Sequence, residues 1–401
     1  MTAAAYERTS DAMLAPGVRR RAVNVAFELG DRLYDAAYRE NEPGEDWTPT
    51  RSLAGTPGYA LAFMALARAT GERRFEAAMH EFLRKAARVQ DRPELGLFGG
   101  ISGLRTVAAL AVSVEPRYTG LVAQCDAYVD AALPVGGARP STFMEYDLIG
   151  GWAGIRLARC IDGPRGRDRS TDALAWILGD EERWRCVHPM KGGEAVNDLG
   201  LAHGMAGMLA ALALTLEEPG DAAAVLASNA AYLVSQSFER DGVVWWPYIT
   251  GGMEPPRAAW CYGAPGIAAS LFATSTILRD AELAAFSIRA LESLANTSDA
   301  ACVIDEANVC HGRIGNALCI AGVAARSGSP VLRGLVERYT LAALDEIAAT
   351  GGRCMSRQDD GLKYDTFNEL TGSAGVILGL LTLAGEFEGT WMRAHALTPL
   401  P

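Results

Sequence analysis

Two short stretches carry the residues best suited to chemistry: Trp260-Cys261-Tyr262-Gly263-Ala264-Pro265-Gly266 and Val309-Cys310-His311-Gly312-Arg313-Ile314-Gly315. Each places a cysteine two residues before a Gly-x-x-Gly word, and the second adds a histidine just before the glycine. Two thiols and an imidazole, Cys261, Cys310 and His311, make the three-ligand set of a catalytic zinc site, which leaves one coordination position for substrate. An arriving thiol would lose its proton on joining such a metal and become a nucleophile at neutral pH. The plain alternative is two buried, inert cysteines and a histidine that caps a helix. Their equivalent placement before two glycine pairs favours the metal reading.

Further polar residues sit beside similar words. His203 precedes the glycine pair of Leu201-Ala-His-Gly-Met-Ala-Gly207, and an imidazole is the natural acid or base near neutral pH. Asp147 lies four residues before Gly151 and could orient that ring; otherwise it is a solvated turn aspartate. Arg257, four residues before Cys261, could hold a carboxylate or stabilise charge building on a substrate oxygen, against the alternative of a surface arginine. Tyr262 either lines the pocket and donates a hydrogen bond or is a core aromatic. His80, His188 and His395 lack such a setting; His80 and His395 are expected at the surface. Cys302 and Cys319 fall outside the turns and are not expected as ligands.

The glycine word recurs along the whole chain, at Gly55/Gly58, Gly100/Gly103, Gly151/Gly154, Gly204/Gly207, Gly263/Gly266, Gly312/Gly315 and Gly372/Gly375, with starts 45, 51, 53, 59, 49 and 60 residues apart. Each interval accommodates two helices. Runs such as Tyr59-Ala-Leu-Ala-Phe-Met-Ala-Leu-Ala, after the glycines, are apolar nearly all round and suit burial on both sides. Segments such as Arg73-Arg-Phe-Glu-Ala-Ala-Met-His-Glu-Phe-Leu are amphipathic and would face water on one side. Uneven spacing and the lack of polar end repeats favour a closed ring over an open solenoid. The expected fold is all-α: an α/α toroid of seven helical hairpins, its glycine turns gathered at one mouth. Glycine there permits positive φ and close backbone approach, and the inner-helix N-termini would bring their partial positive ends to that mouth.

The 401 residues are thus read as a single toroid domain, 1–401, with an irregular insert at 162–198 between repeats three and four and a frayed tail at 398–401. A short extended piece is expected at 241–248. Hydrophobic residues make up 49% of the chain, enough for a large core. A net charge of -11 argues against nucleic acid and against an anionic membrane surface. No run is long and apolar enough to span a membrane and no secretion signal is apparent, so the expected location is cytoplasmic and the eight cysteines are read as thiols or metal ligands.

Taken together, Trp260-Cys-Tyr-Gly-Ala-Pro-Gly, Cys310-His-Gly, Ala202-His-Gly-Met-Ala-Gly and Asp147-Leu-Ile-Gly-Gly-Trp-Ala-Gly resemble the lanthipeptide cyclases, the LanC-type lanthionine synthetases. The resemblance spans all seven repeats. It implies a Zn2+ enzyme on an α/α toroid that adds peptide Cys thiols to dehydroalanine or dehydrobutyrine in a ribosomal precursor peptide. It also implies a separate dehydratase that prepares this substrate. Zinc ligands carry over to Cys261, Cys310 and His311, and further active-site positions to His203, Asp147, Arg257 and Tyr262. Only about fifty residues precede the first repeat, so the stand-alone class is expected. Glutathione-type thiol addition, a prenyltransferase-like alkylation and a non-catalytic precursor-binding scaffold are the alternatives; the prenyltransferase pattern uses an Asp where this chain has a second Cys.

Overall fold

The computed structural model describes residues 13–38, 47–90, 93–133, 139–187, 194–252, 257–358 and 360–400. Among them, each glycine pair opens an apolar helix: α2 (Thr56–Thr70), α4 (Ile101–Ala111), α6 (Trp152–Arg159), α8 (Met205–Thr215), α10 (Ala264–Leu278), α12 (Arg313–Ser327) and α14 (Ser373–Leu383). These pack in sequence and α14 returns to α2, so the ring is closed. Outside them lie α1 (Pro16–Tyr38), α3 (Arg73–Ala87), α5 (Tyr118–Ala132), α7 (Arg169–Leu178), α9 (Ala223–Ser235), α11 (Ala281–Ser293) and α13 (Pro330–Ala349). The last inner helix takes its outer partner from the start of the described chain: α1 packs on α14, tied by Arg19–Glu386 at 2.9 Å. No helix among the described residues is long and apolar enough to cross a membrane.

Burial follows the sequence pattern. Nearly every residue of α8, α10 and α14 is buried, because each is covered by two inner neighbours and an outer helix. In α3 only Phe75, Ala78, Met79, Phe82, Leu83 and Ala86 are, one stripe at helical spacing.

The second glycine of each pair is where two backbones meet. A Cβ at Gly154, Gly207, Gly266, Gly315 or Gly375 would collide with the carbonyl oxygen six residues earlier. Positive φ, by contrast, is needed at only one helix-opening glycine, Gly263 at 93°; the other six have negative φ. Close approach is therefore the general reason for the word, and it lets each loop fold back on its own helix. The folded-back loop takes up first-turn N–H groups: Ile101, Met205, Arg313 and Ser373 donate to the carbonyls of Glu94, Asp198, Glu306 and Thr366 at 2.8–2.9 Å. The converging positive helix ends expected at the mouth are to that extent spent on the protein's own loops.

Backbone bonds also join turn to turn. Leu53 N–H reaches Leu97 O, Phe98 reaches Ile149, Leu148 reaches Ala202, Leu201 reaches Cys261, Cys261 reaches Cys310 and Cys310 reaches Leu370, all within 2.9–3.1 Å. The seven turns form one continuous hydrogen-bonded arc.

Residues 162–198, expected as an irregular insert, contain α7, which packs on α6 and α8 as the outer helix of that pair, followed by a small antiparallel hairpin, β1 (Cys186–Val187) with β2 (Ala195–Val196). The piece expected at 241–248 is β4 (Val243–Trp245), paired with β3 (Phe238–Arg240). A further hairpin, β5 (Met355–Arg357) with β6 (Lys363–Asp365), precedes turn seven.

The tail is not frayed through residue 400. A 3₁₀ segment, Gly389–His395, and the residues after it lie across the C-terminal ends of the inner helices. Trp391 Nε1 donates to Thr382 Oγ1 at 2.8 Å, Arg393 Nη1 to Ile161 O at 2.7 Å, and Arg326 Nη1 to Pro399 O at 3.0 Å. This segment closes the ring opposite the glycine turns. His395, expected at the surface, is fully buried in it among Phe98, Trp260 and Trp391, with Nε2 2.8 Å from Glu369 Oε1 of turn seven.

Candidate metal and catalytic site

Position in the turn decides which side chains reach the mouth. The residue just before the first glycine is His203 in turn four, Tyr262 in turn five and His311 in turn six; the cysteines Cys261 and Cys310 stand one place earlier. The donor atoms of Cys261, Cys310 and His311 lie within 4.8 Å of one another. Sulfur ligands on a tetrahedral zinc stand about 3.8 Å apart, so the cluster is near the required size, and two thiols with one imidazole suit that ion. All three side chains are half-buried. A hydrogen bond with Cys310, and then the His311 ring, pull the Cys261 thiol down to about 5 against the opposing effect of burial. The same bond and burial hold Cys310 well above its ordinary value. Burial alone would depress His311; its contacts with Cys261 and Glu306 raise it to about 9.

The other cysteines behave differently. Cys302 and Cys319 are buried outside the turns, and burial pushes the Cys302 thiol up to about 11, as suits inert core thiols.

Next to the cluster, His203 Nδ1 donates to Asp147 Oδ2 at 2.7 Å. Asp147 is fully buried and its other oxygen accepts the N–H groups of Gly150 and Gly151 at 2.7 and 3.0 Å. The residue is a turn aspartate but not a solvated one: one oxygen caps the turn and the other holds the imidazole. Asn308 and Asn368 occupy the same place in turns six and seven, where their oxygens cap, accepting from His311 N–H and Thr371 N–H. Burial works against a charged His203, but the Asp147 bond and charge, with Asp198 behind them, raise its pKa above 6.5. Phe143 covers the ring edge-on at 4.9 Å.

Tyr262 donates its hydroxyl to Asp198 Oδ2 at 2.7 Å. Burial and that carboxylate together raise the phenol far above its ordinary range, so it is a donor and not an ionised base. Arg257 is half-buried beside the thiols, where its charge lowers both of them. Among the described residues its guanidinium makes no hydrogen bond or ion pair. His188 lies outside the described residues.

Two carboxylates escaped the sequence reading. Asp198 holds Tyr262, and Glu306 accepts His311 Nε2–H at 3.0 Å. Both stand six residues before the first glycine of their turns, the place Arg257 has in turn five. Overlaying the turns marks the place, since it also holds Glu94 in turn two and Glu145 in turn three, but it does not tell the four acids apart.

The family model described as lanthionine synthetase C-like protein matches residues 46–393. The chain belongs to this family. As a LanC-like protein it is a lanthionine-cyclase-type enzyme, and its fold is that of the solved nisin cyclase. That likeness has a TM-score of 0.68 at 16% identity, covering 95% of this chain and 98% of that one. An α-1,6-mannanase of Salegentibacter sp. HEL1_6 is a weaker likeness, with a TM-score of 0.43 at 11% identity over 94% of this chain and 98% of that one, and it carries no argument. No curated protein sequence matches the chain.

Proposed function

We propose that this LanC-like protein is a zinc-dependent cyclase acting in the cytoplasm. It closes (methyl)lanthionine rings in a ribosomal precursor peptide whose Ser and Thr residues a separate dehydratase has converted to dehydroalanine and dehydrobutyrine. The observation that carries this reading is the meeting of Cys261, Cys310 and His311 at one end of an arc that also presents His203, Tyr262 and Arg257. Cys261, Cys310 and His311 would hold the zinc, which supplies a thiol sulfur in its anionic form at neutral pH.

The chemistry is an addition. A sulfur–carbon bond forms at the β-carbon, the double-bond electrons move onto the carbonyl oxygen, and the resulting enolate takes a proton at the α-carbon. His203, whose proton Asp147 helps to retain, is the donor of that proton. Arg257 stands where a cation can pair with the enolate oxygen or a nearby substrate carboxylate. Tyr262, fixed by Asp198, walls the pocket between the imidazole and the thiols.

The test is a peptide carrying one dehydroalanine and one Cys, incubated with the zinc-loaded protein. Cyclisation leaves the mass unchanged and removes the free thiol, so the product resists thiol alkylation. Alkylation at the same rate with and without the protein would overturn the reading.

A further inference from the structure

Glu306 has its own set of hydrogen bonds. Its carboxylate is buried, and besides His311 Nε2–H it accepts Asn308 Nδ2 at 2.5 Å, Ser356 Oγ at 3.1 Å and Arg357 N–H at 2.9 Å. Ser356 and Arg357 belong to β5, so a strand outside the turns fixes the carboxylate from the side away from the ring. The strand is tied down in turn: Arg357 reaches Asp305 Oδ2 at 2.7 Å, and Lys363 of β6 stands 3.3 Å from the same oxygen. Four donors converge on one buried anion that no step of the proposed chemistry employs.

An imidazole whose Nε2 is held by a carboxylate can present only Nδ1 to a metal. From this we infer that Glu306, clamped by the β5–β6 hairpin, is the positioning residue that fixes His311 as an Nδ1 ligand and sets the affinity of the metal site. The carboxylate makes the imidazole a stronger donor and prevents the ring from turning. Loss of such a partner lowers metal affinity by about 10–100-fold. Two thiolates, an imidazole and a carboxylate behind it also leave the site with excess negative charge, which favours a nucleophilic sulfur over a Lewis-acidic metal.

The inference rests on the zinc reading, and one pair of measurements separates the two. Zinc affinity is measured by competition with a chromophoric chelator on the full-length protein and its E306A and E306Q variants, with thermal unfolding of each run alongside. We expect E306A to bind zinc 10–100-fold more weakly. In nitrogen-15 spectra of the five histidines, zinc should shift one Nδ1 while Nε2 of that ring keeps its proton. E306Q, which retains one acceptor oxygen and the side-chain volume, should weaken binding less, and it serves as the probe if E306A does not fold. A folded Glu306 variant with wild-type affinity, or a zinc-shifted Nε2, overturns the inference and leaves the zinc site standing. A wild-type protein that binds no zinc overturns both.

Discussion

His203 and Asp147 come from different turns, four and three, yet their side chains meet at 2.7 Å, with the second Asp147 oxygen anchored by two backbone N–H groups of its own turn. The imidazole is held by a carboxylate that cannot move without unmaking the turn. Asp147 raises the His203 pKa above 6.5, so the ring holds its proton to higher pH than a free imidazole does. Its role as proton donor then predicts that kcat falls as pH rises through that raised value. Asp147→Asn keeps an oxygen to cap the turn but removes the charge, so the falling limb should move to lower pH. His203→Asn should slow ring closure by about 10²–10⁴-fold while zinc stays bound. The sign for stability is the same: the pairing stabilises the fold at pH below the ordinary histidine value and is lost as pH rises through the raised one. A pH–rate profile of Asp147→Asn that matches wild type contradicts the assignment.

Tyr262 should matter less to the chemistry. Its proton is committed to Asp198, so Tyr262→Phe removes a donor from a buried carboxylate without removing an acid or base. We expect about 1–3 kcal/mol of lost stability in denaturant titration and less than a tenfold loss of kcat. A loss of rate equal to that of His203→Asn would place the phenol in the proton transfer.

The His395–Glu369 pair, which lies beneath turns five and seven, supplies a stability prediction. His395→Ala strands a buried carboxylate at turn seven and should cost about 3–5 kcal/mol in a denaturant titration. Adding Glu369→Gln should return part of that loss, because the stranded charge goes with it. No recovery in the double variant would mean that packing by the imidazole ring accounts for the whole effect.

Glycine spacing gives a sharper contrast. A Cβ at Gly315 meets the Val309 carbonyl, one residue from Cys310, whereas at Gly334 on α13 it meets nothing. Gly315→Ala should destabilise the protein by about 1–3 kcal/mol and weaken zinc binding. Gly334→Ala should be stabilising by about 0.5–1 kcal/mol and leave zinc binding alone. Equal behaviour of the two variants would show that the tight turn does not hold the ligands in place.

These contrasts indicate what the sequence makes legible. The glycine pairs announced the ring because backbone contact at Gly154, Gly207, Gly266, Gly315 and Gly375 admits no side chain, a constraint that leaves the same letter at each turn. The Cys261–Cys310–His311 cluster and the pairing of His203 with Asp147 could be expected because these residue types are rare and their place in the turn is shared. Asp198 and Glu306 could not, since a carboxylate six residues before a glycine looks like any surface acid, even with the turns overlaid. His395 was misplaced for a different reason. Its burial depends on a segment crossing the far end of the ring to meet Glu369, a long-range contact with no local pattern. The seventh outer helix, α1, likewise becomes identifiable only when the ring is seen to close.

The proposed function needs one ion between turns five and six, where Cys261, Cys310 and His311 meet. Metal analysis of the protein purified without chelators tests that most directly. We expect close to one zinc per chain, and its loss in Cys261→Ala, Cys310→Ala and His311→Ala. A wild-type protein with no zinc, or a His311→Ala variant that retains a full equivalent, would contradict it.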